Sequence, residues 1–172
     1  ANIQITPNGV NRVGATHTFT GHVNVNDGTG ATNAPAGTEI DFTIDSGPGA
    51  FIGPNSCLTI GATGSCTVDI SSAVTGTTMV SAHTDVDVAG VAIHRDTDAT
   101  HGSSGPATKV WVDARIHIEA DSTNAVGTAH TFDVTTFADH GDGNGFVAAS
   151  GSVTSLTTSF GTITGGTCTA AN

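Results

Sequence analysis

One stretch of this sequence occurs twice. Residues 1–19 return as residues 114–132, at a constant offset of 113 residues from Ala1 to Ala114 and without a gap. Ile3 and Ile5 return as Ile116 and Ile118. Asn11, Val13 and Gly14 return as Asn124, Val126 and Gly127, and His17-Thr18-Phe19 returns as His130-Thr131-Phe132. About half of the aligned positions are identical, and spaced identity of that kind within one short chain marks an internal repeat. A period of this length suits one immunoglobulin-like sandwich of about 100 residues. It is too long for helical solenoid repeats and too short for an α/β barrel. The expected organisation is a complete sandwich over 1–112 and the first half of a second over 113–172. The second part, about 60 residues, is expected to be marginal alone, because a chain of that size buries little apolar surface.

The local pattern agrees with an all-β chain. Thr and Val are abundant and Gly is very frequent, while Leu occurs only at Leu58 and Leu156 and Met only at Met79. β-branched residues fit a pleated surface, and dense glycine breaks helices. Alternation predicts strands around Ile3 and Ile5, then over 17–25, 38–44, 50–52, 67–71, 77–88, 91–95 and 109–113. Polar, Gly- and Pro-rich turns separate them, including Pro7-Asn8-Gly9 and a loop from Asn26 to Gly37. In the closing strand, Val110 and Val112 are expected on one side, with Lys109, Trp111 and Asp113 on the other. The second part offers strands at 131–137, 151–157 and 160–164. The passage from Val112 to Ile116 contains no flexible tether, so Trp111, Asp113 and Arg115 are the expected junction residues. An edge aromatic packing within its own module is the competing reading for Trp111.

Charge excludes some partners. The formal net charge is −11, and the cations are Arg12, Arg95, Lys109 and Arg115. A protein that grips phosphate needs a basic face, so nucleic acid and anionic membrane surfaces are not expected partners. No apolar run approaches the ~20 residues that cross a bilayer as a helix, so no membrane insertion is expected. Three cysteines are present. Cys57 and Cys66 lie close enough, across a Gly-containing loop, for a bridge. Cys168 falls near the second-copy equivalent of Cys57, and its partner is expected about nine residues further on, in a longer array. Three reduced, buried thiols are the competing reading.

The residues also resemble a known family. Asn11-Arg12-Val13-Gly14 with His17-Thr18-Phe19-Thr20, Ala34-Pro35-Ala36-Gly37-Thr38, Ser46-Gly47-Pro48-Gly49 and Gly64-Ser65-Cys66-Thr67-Val68 are similar to bacterial immunoglobulin-like repeats, the Big domains of the invasin/intimin type. Asn124-Ala125-Val126-Gly127 with His130-Thr131-Phe132 matches again. The resemblance implies tandem β-sandwiches in an extracellular, cell-surface adhesin or fibre, whose partners are neighbouring repeats or subunits of the same protein. It names no adhesive target. The incomplete second module departs from the pattern. Either the polypeptide continues, which is the favoured expectation, or a neighbouring chain supplies strands.

Chemistry-bearing residues are sparse. There is no nucleophile elbow, zinc-protease helix or phosphate loop, so no enzyme is expected. Among the histidines, His17 and His130 are repeat equivalents with an expected structural role. His94, Asp96, Asp98 and His101 form the densest cluster, a weak pattern for zinc. Asp139, Asp142 and Asn144 place oxygen ligands on a glycine-rich loop, a weak pattern for calcium that lacks the EF-hand spacing. No cofactor is otherwise expected.

Overall fold

The computed structural model describes residues 1–119 and 121–171. Among them there are fifteen strands and no helix. The chain divides into two compact units, Ala1–Val112 and Asp113–Asn172.

Unit 1 is a two-sheet β-sandwich. Its first sheet contains β1 (Asn2–Thr6), β3 (His17–Asn26), β8 (Ser65–Ser71) and β6 (Ala50–Phe51), in the order β1-β3-β8-β6, with β4 (Ala31–Asn33) alongside β3. Its second sheet contains β2 (Gly9–Arg12), β9 (Gly76–Val88), β5 (Glu39–Ser46), β7 (Ser56–Leu58) and β11 (Ala107–Ile118), of which residues 107–112 belong to this unit. β2 runs parallel to β11, and β11, β9, β5 and β7 follow in antiparallel order. β10 (Val91–Asp96) extends the same edge as β11 by pairing with the outer half of β9. In immunoglobulin lettering this is A-B-E-D against A′-G-F-C-C′, an immunoglobulin-like sandwich by topology.

The two sheets meet over one apolar core. Ile3, Ile5, Phe19, Val23, Val68 and Ile70 come from the first sheet. Ile40, Phe42, Val80, Ala82, Val86 and Trp111 come from the second. Period-two alternation explains the split: in β9, Thr78, Val80, Ala82, Thr84, Val86 and Val88 point inward, while Asp85 and Asp87 point to solvent. One glycine is needed for close approach. A Cβ at Gly21 would lie 2.8 Å from the Phe42 ring and 3.0 Å from Ile40. The Cys57–Cys66 disulfide ties β7 of one sheet to β8 of the other, with Cα atoms 5.8 Å apart. Closing so short a loop stabilises by about 2–3 kcal/mol in the chain-entropy view.

Several expectations need correction. β11 divides its residues as expected, but the side that is buried carries Ala107, Lys109 and Trp111, and Val110 and Val112 lie toward the outside. The reason is energetic. A Trp buries far more apolar area than a Val, and here its Nε1–H finds the Thr78 hydroxyl at 3.0 Å. Met79, a flexible side chain of the kind that fills core gaps, is instead exposed. Gly9, expected in a turn, opens β2, and Ala31–Asn33, inside an expected loop, is β4.

Unit 2 is less complete. Residues 113–118 of β11 pair with β12 (Val134–Asp139), which pairs with β13 (Val147–Ala148). A separate hairpin joins β14 (Val153–Ser155) to β15 (Thr167–Thr169). The strand expected at 160–164 is not formed; those residues lie in the hairpin connection.

The repeat permits a paired test. Ile3 is wholly buried, whereas its equivalent Ile116 is 59% exposed. Ile3→Ala is expected to cost about 2–5 kcal/mol in urea unfolding of unit 1. Ile116→Ala is expected to change stability by no more than about 0.5 kcal/mol. Equal costs would contradict the placement of these two residues.

Candidate functional site

The polar residues singled out from sequence do not assemble one catalytic or metal centre. Among the described residues, no three His, Cys, Asp or Glu side chains converge as metal ligands. His94 stands on the exposed face of β10, with Nδ1 2.8 Å from Asp85 and Nε2 3.1 Å from Asp96. The hydrogen bond to Asp85 is the largest cause that holds its pKa above the ordinary value, and both carboxylates add to it. Asp98 instead accepts from the Thr100 amide and hydroxyl, which lowers its pKa. His101 contacts the same Thr100 hydroxyl. His17 Nε2 lies 3.0 Å from the Pro7 carbonyl, and its ring meets Phe19 edge-on. Burial is the main reason its pKa is lowered.

The acidic loop of unit 2 is organised by its own backbone. Asp139 accepts from the Gly141 amide at 2.9 Å. Asp142 accepts from the Asn144 amide at 3.0 Å and, through its other oxygen, from Asn144 Nδ2 at 2.9 Å. Those bonds from Asn144 lower the Asp142 pKa. Asn144 thus presents its donor, not its oxygen, to the neighbouring carboxylate. Calcium needs six to eight convergent oxygens, and titration with calcium is expected to leave the melting temperature unchanged. A rise of several degrees would assign a cation to this loop.

The expected junction residues are each satisfied locally. Trp111 lies in the unit 1 core. Asp113 accepts from the Ala114 amide. The Arg115 guanidinium sits 5.0 Å from the Phe137 ring centroid and 4.3 Å from that of Phe146, both in unit 2.

Lys109 was missed as a core residue. It is wholly buried, and its ammonium donates to Asn11 Oδ1 at 2.8 Å, 5.6 Å from the centroid of the Trp111 ring. Among the described residues no carboxylate pairs with it. Asn11 is itself anchored by donating to the Thr16 carbonyl. Burial lowers the Lys109 pKa, so the unfolded chain holds the proton more tightly than the folded one. Stability therefore rises with pH between the folded pKa and the unfolded value near 10.4. Lys109→Met removes this dependence. Its stability relative to wild type, read from urea midpoints, is expected to fall as the pH rises toward about 10.4. A difference that stays constant with pH would contradict an ionisable amine held in the core.

The feature with most capacity for binding is the open face of unit 2. Several of its local features repeat those of unit 1 at equivalent residues. Ile3 faces Val23 and Ile5 faces Gly21; Ile116 faces Thr136 and Ile118 faces Val134, the same register at the same offset. Asn124 donates to the Ala129 carbonyl as Asn11 does to that of Thr16. His130 meets Phe132 edge-on, as His17 meets Phe19. The β14–β15 hairpin repeats β5–β7. Gly37, Thr59 and Phe42 amides donate to Thr59, Thr38 and Asn55 carbonyls; Gly151, Ala170 and Leu156 amides donate to Ala170, Ser152 and Gly166 carbonyls. Cys168 faces Thr154 where Cys57 faces Ile40. Cys57 is bonded to Cys66, and Cys168 is an exposed free thiol.

Burial, by contrast, is not repeated. Phe19 is fully buried and Phe132 is 45% exposed; Ile5 is 5% exposed and Ile118 45%. An open cleft of about 460 Å³ lies where unit 1 has core, lined by Ala114, Ile116, Thr136, Phe137 and the β14 segment. The strand itself is shortened. β3 begins at His17 and pairs with β8 from there, whereas β12 begins only at Val134, leaving 130–133 outside any strand.

Comparison with known proteins adds two similar structures. No family model and no curated protein matches the chain. The D0-D1 domain of Intimin is 24% identical, with a TM-score of 0.44, and the match covers 99% of this chain and 78% of that one. The D00-D0 domain of Intimin is 20% identical, with a TM-score of 0.38, over 65% of this chain and 46% of that one. The immunoglobulin-like class rests on the strand order of unit 1.

Proposed function

We propose that this chain is a segment of an extracellular adhesin or fibre, in which tandem immunoglobulin-like modules act as a structural shaft. The observation that carries this reading is the recurrence of the same strand register at Ile3 and Ile116. A module repeated in register, with little chemistry on its surface, serves to span distance and to hold other parts in place. Three further features support it. The Cys57–Cys66 bond suits an oxidising compartment outside the cytoplasm. The strong negative charge favours solubility and disfavours phosphate-bearing partners. No described helix is long and apolar enough to cross a membrane. The modules' partners are their own neighbours, and the role is mechanical, not catalytic.

A second reading has its own support. The exposed Phe132 and the unpaired residues beside β12 suit a filament subunit whose second module is completed by a neighbouring chain. The mature protein distinguishes the two. The shaft reading expects antibodies against this chain to label intact cells, and intact mass to give one polypeptide far heavier than 17.0 kDa. A mature surface polypeptide of about 17.0 kDa that assembles into filaments would favour the second reading. A protein confined to the cytoplasm would contradict both.

A further inference from the structure

We propose that the open edge beside β12 is a strand-binding site with a defined register, and that its occupant is a strand of the β8 type carrying a cysteine that bonds to Cys168. The inference rests on the tandem-module reading and names what completes the second module. The source is the same polypeptide, entering after β15 as β8 enters after β7 in unit 1.

Unit 1 supplies the template. There β8 lies along β3 with Ile70 opposite His17, Val68 opposite Phe19 and Cys66 opposite Gly21. Transferred by the 113-residue offset, those positions are His130, Phe132 and Val134. The far end of that same edge is already taken in both units: β4 pairs with Asn24 and Val25, and β13 pairs with Phe137 and Ala138. The vacant stretch among the described residues is thus bounded at one end by β13 and runs back over 130–135. Strand edges with unpaired amides and carbonyls are templates for another strand.

Side chains fix which strand. In unit 1 the inward residues of β8 are Cys66, Val68 and Ile70, all buried against Phe19 and its neighbours. In unit 2 the corresponding apolar group, Ile116, Ile118 and Phe132, is present and uncovered. Its sizes are mutually adjusted. The glycine beneath Phe42 in unit 1 becomes Val134, and Phe42 becomes the smaller Leu156. A larger residue on one sheet matched by a smaller one on the other belongs to a core meant to close. Cys168 completes the assignment. It occupies the register of Cys57, whose partner lies 9 residues later on β8. The occupant therefore reads Cys-x-Val-x-Ile or an apolar equivalent, with its cysteine opposite Val134. The bond forms by oxidation of two thiols, with glutathione disulfide or an extracellular thiol oxidase taking up the two electrons and two protons.

The test uses this chain, in which Cys168 is the free thiol. A synthetic peptide spanning residues 63–72 is added in a glutathione redox buffer, beside a peptide of the same composition with its apolar residues scrambled. The β8 peptide is expected to be captured on Cys168 at least about tenfold more than the scrambled one, an effective-concentration gain typical of a bound thiol. Phe132→Asp is expected to abolish that preference while Cys168 still reacts with glutathione. Equal capture of both peptides overturns the proposal, as does a Cys168–Cys168 dimer that excludes the peptide. In the mature protein, non-reducing peptide mapping is expected to find Cys168 bonded to a cysteine about nine residues on, the spacing of the unit 1 loop. Finding Cys168 reduced there also overturns the proposal. The mass and surface labelling of the mature polypeptide test the shaft reading separately, so either can fail alone.

Discussion

A β-sheet with one apolar face has to cover that face, and everything in this chain follows from how that is done. In unit 1 the two sheets cover each other. Phe19 and Phe42, on opposite sheets, are both fully buried, and the Phe42 ring lies where it does only because Gly21 has no side chain, since a Cβ there would be 2.8 Å from it. Burying side chains of this size is worth about 1.5–3 kcal/mol each. The hydrogen bonds of the strands fix register, but this burial decides which register is used, because a slip of one residue would turn every Ile and Phe outward.

Unit 2 separates these two contributions. The pairing of residues 115–118 with 134–137 keeps the unit 1 register without the unit 1 core. Local interactions suffice for that: the His-Phe ring contact and the Asn side-chain anchor are short-range in sequence and recur in both copies. The Gly14 and Gly127 backbones both take positive φ, 75° and 84°, which glycine adopts without a steric penalty. Burial is long-range and depends on strands that pair later in the chain order, as β8, β9 and β11 do in unit 1. The paired segments therefore keep the same register with very different exposure.

Much of this was legible in the sequence, and the failures have physical causes. The repeat, the inward faces of β1 and β3, and the closeness of Cys57 to Cys66 follow from spacing and alternation. Which side of β11 is buried does not, because Lys109 and Trp111 each carry a polar tip on a large apolar body. Their burial depends on Asn11 and Thr78, which arrive from other strands. The short strands β2, β4 and β13 are held by neighbours and carry little alternation of their own. The acidic loop drew attention through composition, yet its carboxylates are turned to nearby amides, as Asx turns commonly are. The open edge of unit 2 could be placed only once the register of β3 with β8 was known.

The central claim is that one strand register recurs at Ile3 and Ile116 with unequal cover. Amide hydrogen exchange tests it most directly. The Ile3 and Ile5 amides accompany the buried core and are expected to exchange only on global unfolding of unit 1. Those of Ile116 and Ile118 are expected to exchange at least about a hundredfold faster, through local opening of an uncovered sheet. Equal protection at the two sets of isoleucines would contradict the account.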